Sequence, residues 1–374
     1  MEYIVREKSI ITGEDTLKPL CEFKRFPAFI GCTEQSIEND VLADMDWMIC
    51  EKSGMIQLKK LLPLDLVYSG YHSEALGRVW EDHHLQFCDF IEKYNPQNIL
   101  EIGGSNGVLA KEYTKKRKIN KWTIVEPNPA FEGNSEINII KGYFDNNFKL
   151  VGIDAVIHSH VIEHFYDPNQ ILLHIANFLK TGDFHIFSLP NLDKYLKNKF
   201  SNSINFEHTY FITDYFIEYL LAKYGFQIID KYYYGEHSIF YATQKINTPS
   251  APEIKNHFYE NKKLYLDMVE YYDAEVNRLN RLIDNYSGKI FLFGAHIFSQ
   301  FLIYRSLQIE KIINILDNSI IRKNKRLYGT SLFVVSPDVL KNINRAAVIL
   351  KAGQYQVEVK RQLLEINPDI DIWE

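Results

Sequence analysis

An apolar strand followed by a glycine-rich turn is the feature that most constrains the fold of this chain. Residues 98–109 read Asn-Ile-Leu-Glu-Ile-Gly-Gly-Ser-Asn-Gly-Val-Leu. Gly103, Gly104 and Gly107 allow a backbone with positive φ and a close approach to a ligand. The N–H groups that begin the following helix face such a ligand. The pattern therefore predicts a binding site at the carboxyl end of the strand, next to Glu101.

A second acid follows at the spacing expected of a nucleoside-binding fold. Glu126 ends the next predicted strand, 23 residues after Gly103, and an acid about 20 residues beyond the glycines can hold a ribose diol. The turn reads Glu-x-Gly-x-Ser-x-Gly, with Ser105 in its middle, so it fits a dinucleotide pyrophosphate poorly. It resembles the S-adenosylmethionine loop of class I methyltransferases. The alternative is a tight strand–helix connection without a ligand.

Composition excludes several classes of protein. A chain of 374 residues predicts two or three domains, and 46% hydrophobic residues suffice for their cores. The net charge of −6 without a long basic run argues against a nucleic-acid partner. No apolar stretch reaches the ~18 residues of a membrane span, and the N-terminus does not read as a signal peptide. We therefore expect a cytoplasmic protein with no membrane partner.

Strands and helices alternate after Glu126, which predicts an α/β protein with a parallel, doubly wound sheet. Strands are predicted at 137–140, 153–160, 184–191, 226–234 and 238–243. Helices are predicted at 170–180, with Gly182 as its cap, and before Gly225, and an earlier helix at 73–94 leads into the strand before the glycine turn. Ser159 and His160 end the fourth strand and would border the methionine part of the cofactor. Tyr71 precedes the first of these helices and could face the site.

The last third of the chain repeats the pattern in a weaker form. A long polar helix is predicted at 253–285, after Pro249 and Pro252. A strand then runs into Gly294, and Asp317 ends the next strand 23 residues later. Because only one glycine occupies this turn, a second dinucleotide site is not expected. The pattern indicates a Rossmann-like domain that helps to hold a substrate.

Three cysteines near the N-terminus lack the spacing of a zinc ribbon. Such a site needs Cys-x-x-Cys twice, but Lys24 follows Cys21 and Ser53 follows Cys50 at the second positions, and Cys32 stands alone. The sequence therefore predicts no bound metal.

The assembled motifs resemble the S-adenosylmethionine-dependent sugar C-methyltransferases, which act on nucleotide-linked ketosugars. The resemblance covers nearly the whole chain and rests on motifs in the same order: residues 56–58, the Tyr71 region, 101–107, 160–164, 207–208, 237–238, 293–295 and Asp317. It implies a degenerate zinc-ribbon-like domain at 1–70, a methyltransferase domain at 71–246, a linker helix at 247–287 and a Rossmann-like domain at 288–374. It also implies S-adenosyl-L-methionine as cofactor and a small-molecule acceptor, a nucleotide sugar or glycan precursor. No oligomeric state follows.

The catalytic residues are predicted from a stretch that departs from the family. The family's Tyr-His-Glu-His appears here as Asn205-Phe206-Glu207-His208, so only the final Glu and His match. His208 is the predicted base because the pKa of an unperturbed imidazole is near neutral. Glu207 would orient it or act on the sugar, provided that both lie on a loop. Tyr71 is the next candidate.

Three alternatives stay open at this point. The protein could methylate a hydroxyl of a glycan precursor or small metabolite, in which case the base removes the O–H proton. It could be an NAD-dependent oxidoreductase, although neither α/β unit has Gly-x-Gly-x-x-Gly. It could also be a scaffold without catalysis, against which Glu101, Gly107 and Glu126 argue.

Overall fold

The computed structural model describes residues 2–67 and 77–374, without the side chain of Asp65. Tyr71 lies outside this part of the chain. The first described region is a small antiparallel assembly of strands with one short helix. Its elements are β1 (Ile4–Val5), β2 (Leu17–Pro27), β3 (Cys32–Thr33), β4 (Leu42–Cys50), β5 (Ile56–Leu58), β6 (Lys60–Leu61) and α1 (Leu64–Val67). β2, β4 and β5 pair in that order, whereas β1 pairs with β6.

A seven-stranded sheet forms the centre of the molecule. Its strands are β7 (Asn98–Ile102), β8 (Lys121–Glu126), β9 (Ile137–Lys141), β10 (Ala155–Ser159), β11 (Phe184–Pro190), β12 (Phe226–Tyr234) and β13 (Ser238–Lys245). They lie in the order β12-β13-β11-β10-β7-β8-β9. β13 is antiparallel to both neighbours, and the other pairs are parallel. The sheet is therefore mixed, which corrects the prediction of a parallel sheet.

Helices cover the two faces of this sheet. They are α2 (Arg78–Glu92), α3 (Val108–Thr114), α4 (Pro168–Phe178), α5 (Leu192–Lys197) and α6 (Asp214–Lys223). α4 begins at Pro168, two residues before the predicted start, because the side chain of Asp167 accepts from the backbone N–H of Asn169 and Pro168 occupies the first turn. It ends at Phe178 with Leu179 as its C-cap. Gly182 was therefore wrong as the cap; it lies in the turn before β11.

The C-terminal region folds around a second sheet. Its elements are α7 (Phe258–Asn285), β14 (Lys289–Phe293), α8 (Ile297–Tyr304), β15 (Ile312–Leu316), β16 (Arg326–Leu327), β17 (Val334–Val335), β18 (Ala346–Leu350), α9 (Gln356–Ile366) and β19 (Asp371–Trp373). The five sheet strands are parallel and lie in the order β17-β15-β14-β18-β19. This is a Rossmann-like arrangement in which β14 and β15 meet beside Gly294.

The long helix α7 is amphipathic and packs into the core. Met268, Leu279 and Ile283 are fully buried, as their helical spacing predicts. Tyr265 of the same helix packs against Trp47 of β4, with ring centroids 5.8 Å apart. α7 therefore contacts the N-terminal strands as well as leading into the second sheet.

The N-terminal strands also pair with the C-terminal region. β3 pairs with β16 in antiparallel register, and Arg326 of β16 forms a buried ion pair with Asp40, at 2.6 Å between Nη1 and Oδ2. Breaking such a pair on one side leaves an uncompensated buried charge, so this contact fixes the C-terminal region against the N-terminal strands. Within the described residues no helix has the length and apolarity to cross a membrane.

Candidate functional site

A cleft of about 2870 Å³ runs between the carboxyl ends of the central strands and the second α/β unit. Its walls include almost all of the site residues that the sequence predicted: Glu101, Gly103, Gly104, Ser105, Glu126, Ser159, His160, Glu207 and His208. Gly107 does not line it, and Tyr71 lies outside the described residues. The structure thus brings together residues from four separate stretches of sequence.

The glycine turn is shaped by close packing beneath it. A Cβ on Gly103 (φ +72°) would lie 2.9 Å from Cγ2 of Val161, and one on Gly104 would lie 2.6 Å from Cγ2 of Ile124. Gly107 begins α3 in the left-handed conformation, with φ +70°. A side chain at any of these three positions would displace the turn. The glycines are therefore required by the fold as well as by a ligand.

Glu126 is the acid that the spacing assigns to the ribose. Its Oε2 accepts from the backbone N–H of Ser105 at 3.2 Å, and its Oε1 accepts from that of Asn128 at 2.9 Å. The side chain is half-buried, and a carboxylate has about four lone-pair sites. Glu126 is therefore oriented by the turn while it retains acceptor capacity towards the cleft, which fits a ribose diol.

Glu101 is more buried than Glu126 and packs beneath the glycine turn. Only 3% of it is exposed, and its Oε2 accepts from Nε1 of Trp122 at 2.8 Å. Burial raises the pKa of this carboxyl to about 7, against which the indole hydrogen bond acts. A Cβ on Gly104 would lie 3.0 Å from Cδ of Glu101, so this carboxyl supports the turn directly.

Ser159 is the last residue of β10, and His160 follows it. The Ser159 hydroxyl forms a hydrogen bond with that of Ser188 at 2.8 Å. His160 has φ +53°, which is unusual for a non-glycine residue and costs about 1–2 kcal/mol. This conformation brings its Nε2 to 2.7 Å from Oγ of Ser238. Burial lowers the pKa of His160 to about 3, so the imidazole is neutral.

Glu207 and His208 lie on a loop, as their sharing of a site requires. The Asn205 side chain shapes this loop, since its Oδ1 accepts from the backbone N–H groups of Glu207 at 2.8 Å and His208 at 2.7 Å. The His208 ring packs edge-on against His164, with centroids 4.7 Å apart. Burial lowers the pKa of His208, and Glu163 and Glu207 act in the opposite direction. Its role as base stays a prediction.

The structure also reveals a residue to which the sequence gave no role. Glu163 is fully buried, within the short 3-10 turn Ile162–His164 that follows β10. It lies between His160 on one side and the His164–His208 pair on the other. Burial raises its pKa. In the sequence, the feature that could have indicated such a role is the Glu163-His164 pair shortly after the end of a predicted strand.

A second group of histidines borders the other side of His160. His83 of α2, His160 and His237 each have a ring nitrogen within 4.8 Å of the other two. The hydroxyl of Tyr355, from the C-terminal region, accepts from Nε1 of Trp80 at 2.9 Å and lies 3.3 Å from Nε2 of His237. The second unit therefore contributes a side chain to the wall of the cleft.

The cysteines do not gather into a site in the described part of the chain. Cys21 lies in β2, Cys32 in β3 and Cys50 at the end of β4, and all are free thiols. The two groups whose geometry could hold a metal contain only histidine and glutamate. Among the described residues, Cys21, Cys32 and Cys50 thus belong to neither group.

Comparison with known families identifies the central unit. Residues 75–231 match a family described as a methyltransferase domain. The match begins before α2 and ends within β12. The predicted fold and enzyme class are therefore confirmed: the central unit has a class I methyltransferase fold and the chain is a methyltransferase, with S-adenosylmethionine as its cofactor. No curated protein matches the chain.

Solved methyltransferases are similar to the central unit at low identity. NodS, an N-methyltransferase from Bradyrhizobium japonicum WM9 in complex with S-adenosyl-L-homocysteine, is 11% identical over 46% of this chain and 90% of its own, with a TM-score of 0.37. A putative S-adenosylmethionine-dependent methyltransferase from Listeria monocytogenes is 13% identical over 45% and 98%, also at 0.37. A possible histamine N-methyltransferase from Thermotoga maritima is 20% identical over 43% and 89%, at 0.34. Since these TM-scores are low, they carry no argument about the acceptor.

Proposed function

We propose that this methyltransferase acts on a nucleotide-linked sugar or related glycan precursor, and that its reaction is C-methylation of a ketosugar. The observation that carries the proposal is the shared cleft: the glycine turn and Glu126 line one end of it, and the Glu207–His208 loop lines another part. A cofactor and an acceptor can thus meet in one cavity. Holding two reactants in one geometry in this way converts a bimolecular step into an effectively unimolecular one.

The size of the cleft supports a large acceptor. A site for one drug-sized ligand has a volume of roughly 300–1,000 Å³, whereas this cleft has about 2870 Å³. Part of the additional wall comes from the second α/β unit, through residues such as His296, Arg322 and Tyr355. An acceptor of nucleotide-sugar size is consistent with this volume, and the resemblance of the motifs to sugar C-methyltransferases supports the same class.

The chemistry requires one proton acceptor near the methyl group. The C–S bond of the sulfonium breaks as the methyl carbon bonds to the acceptor, which loses one proton. For a ketosugar, the proton beside the carbonyl leaves first and the resulting enolate attacks the methyl. We assign proton removal to the Glu207–His208 loop, because it provides a carboxylate and an imidazole on the cleft wall.

Mass spectrometry with labelled S-adenosylmethionine and a panel of nucleotide sugars tests this proposal. We expect one labelled methyl group on a ketosugar nucleotide. Incubating enzyme, acceptor and S-adenosylhomocysteine in D₂O separates the two methylation chemistries. C-methylation predicts exchange of the proton beside the carbonyl without methyl transfer, whereas O-methylation of a hydroxyl predicts none. A labelled product without such exchange would replace the C-methylation proposal by its O-methylation alternative.

A further inference from the structure

Glu163 is a buried carboxylate without the partners that burial normally demands. It has no exposed side-chain surface, and neither oxygen has a hydrogen-bond partner within the described residues. The Nδ1 atom of His160 lies 3.4 Å from Oε1 without forming a hydrogen bond. Burying a carboxylate in this way costs several kcal/mol unless a cation or donors compensate. A cation bound between these side chains would offset this cost.

Two imidazoles converge on the same point. One ligand atom from each of Glu163, His164 and His208 lies within 4.8 Å of the other two. The Nδ1 atom of His208 is buried and, in the described part of the protein, has no hydrogen-bond partner. The residues come from two elements, the turn after β10 and the Asn205–His208 loop, so the fold itself brings them together.

We propose that Glu163, His164 and His208 bind a divalent transition-metal cation. Two imidazoles and one carboxylate suit Zn²⁺, Fe²⁺ and related cations, whereas Mg²⁺ prefers oxygen ligands alone. Three protein ligands leave at least one coordination position open, and all three residues line the cleft. The cation can thus meet an acceptor there. The predicted absence of metal concerned the cysteines, which lie elsewhere.

The consequence for the reaction rests on the proposed function, although cation binding does not. A cation at this point would bind the carbonyl or hydroxyl oxygen of the acceptor and stabilise the negative charge left by proton removal. His208 would then serve as a ligand. Glu207, whose Oε2 lies 3.8 Å from Nδ1 of His164, would accept the proton. In this proposal His208 binds the cation and Glu207 accepts the proton, whereas the sequence predicted His208 as the base.

The neighbouring histidine group is a poorer candidate. His83, His160 and His237 offer three imidazoles without a carboxylate. The Ser238 hydroxyl already forms hydrogen bonds with Nε2 of His160 at 2.7 Å and Nδ1 of His237 at 2.5 Å. A cation there would have to displace both bonds and would receive no negative charge from its ligands.

Metal titration of the full-length protein tests the proposal without any acceptor. Chelator-treated protein is reconstituted with Co²⁺ or Zn²⁺, and metal per chain and the visible absorption of Co²⁺ are measured. Glu163→Gln and His208→Ala are the test variants. His83→Phe reports on the other cluster, and His257→Ala is the matched control, because His257 pairs with Glu260 on the surface. Calorimetry with S-adenosylhomocysteine checks that each variant is folded.

We expect about one cation per chain in the unaltered protein, in His257→Ala and in His83→Phe, and loss of stoichiometric binding in the two test variants. Stoichiometric metal in Glu163→Gln and His208→Ala would overturn the proposal, as would its absence from the unaltered protein. Metal loss only in His83→Phe would assign the cation to the other cluster and overturn it as well. Failure of the proposed function appears separately, as absence of methyl transfer by a protein that binds cofactor and metal.

Discussion

The two α/β units of this chain place an acid 23 residues after a glycine turn, and they use that acid differently. In the first unit, Glu126 is half-buried and accepts two backbone hydrogen bonds, from Ser105 and Asn128. In the second, Asp317 is only 8% exposed. It accepts from the backbone N–H of Ala295 at 2.7 Å and lies 3.1 Å from Nη1 of Arg322.

This difference shows why spacing alone does not identify a nucleoside site. The Arg322 guanidinium neutralises the charge of Asp317, and a third hydrogen bond comes from the backbone N–H of Ser319 at 2.8 Å. Little acceptor capacity remains for a ribose diol. Glu126 lacks a cation partner among the described ion pairs and keeps that capacity. We therefore expect the first unit to bind the nucleoside and the second to support the cleft wall.

The largest expected effect tests whether the first α/β unit, and not the second, carries the catalytic group. His208→Ala should lower turnover by ~10²–10⁴-fold, because a positioned catalytic group contributes about this much. Cofactor affinity should stay nearly intact, since His208 lies on the Glu207–His208 loop and not on the glycine turn. Calorimetry with S-adenosylhomocysteine and single-turnover methyl transfer measure the two effects.

His296 provides the matched control from the second unit. It precedes α8 and lines the same cleft. If the second unit only holds the acceptor, His296→Ala should raise the KM of the acceptor more than it lowers kcat. An equal loss of kcat in both variants would contradict the division of labour.

The sequence predicted the structure of residues 98–126 better than that of residues 159–208. Residues 98–126 contain two apolar strands, a glycine turn and a helix that follow one another along the chain, so local pattern determines their structure. The sequence did not predict a role for Glu163, because its burial depends on packing against the Asn205–His208 loop, which is distant in sequence. The sequence does indicate that β13 is antiparallel to β12. Only residues 235–237 separate the two strands, whereas a connection between parallel strands needs a dozen or more residues.

Burial of an acid beneath the turn is a further property of the first unit. The pKa of Glu101 is raised to about 7 in the folded protein, chiefly by burial, against an ordinary value of 4.5. The folded protein thus binds this proton more tightly than the unfolded chain. Its contribution to stability is complete below about pH 4.5 and is lost as the pH rises through 7.

Glu101→Gln removes this dependence while it keeps an acceptor for the Trp122 indole. The difference in free energy of unfolding, unaltered protein minus variant, should therefore fall by on the order of 3 kcal/mol between about pH 4.5 and pH 8. Urea unfolding at the two pH values measures it. A difference that is independent of pH would show that Glu101 is solvated or otherwise compensated in the folded state.

The two acids themselves can be compared by substitution. Glu126→Ala should weaken S-adenosylmethionine binding by ~1–3 kcal/mol, the cost of losing hydrogen bonds to a charged group. Asp317→Ala should leave that affinity unchanged and lower the melting temperature instead, because Arg322 and the Ala295 N–H lose their partner. Calorimetry and thermal unfolding report the two quantities. Unchanged affinity in Glu126→Ala would remove the assignment of this acid to the cofactor.

The smallest expected effect concerns the two turn glycines. Gly107 and Gly294 both have positive φ, at +70° and +98°, so an alanine at either strains the backbone by about 1–2 kcal/mol. A Cβ on Gly107 would also lie 2.8 Å from Cδ1 of Phe131, whereas nothing lies within 4 Å of one on Gly294. Overpacking of this kind adds at least about 1 kcal/mol. Gly107→Ala should therefore lower the melting temperature more than Gly294→Ala, and equal shifts would mean that Phe131 moves aside without cost.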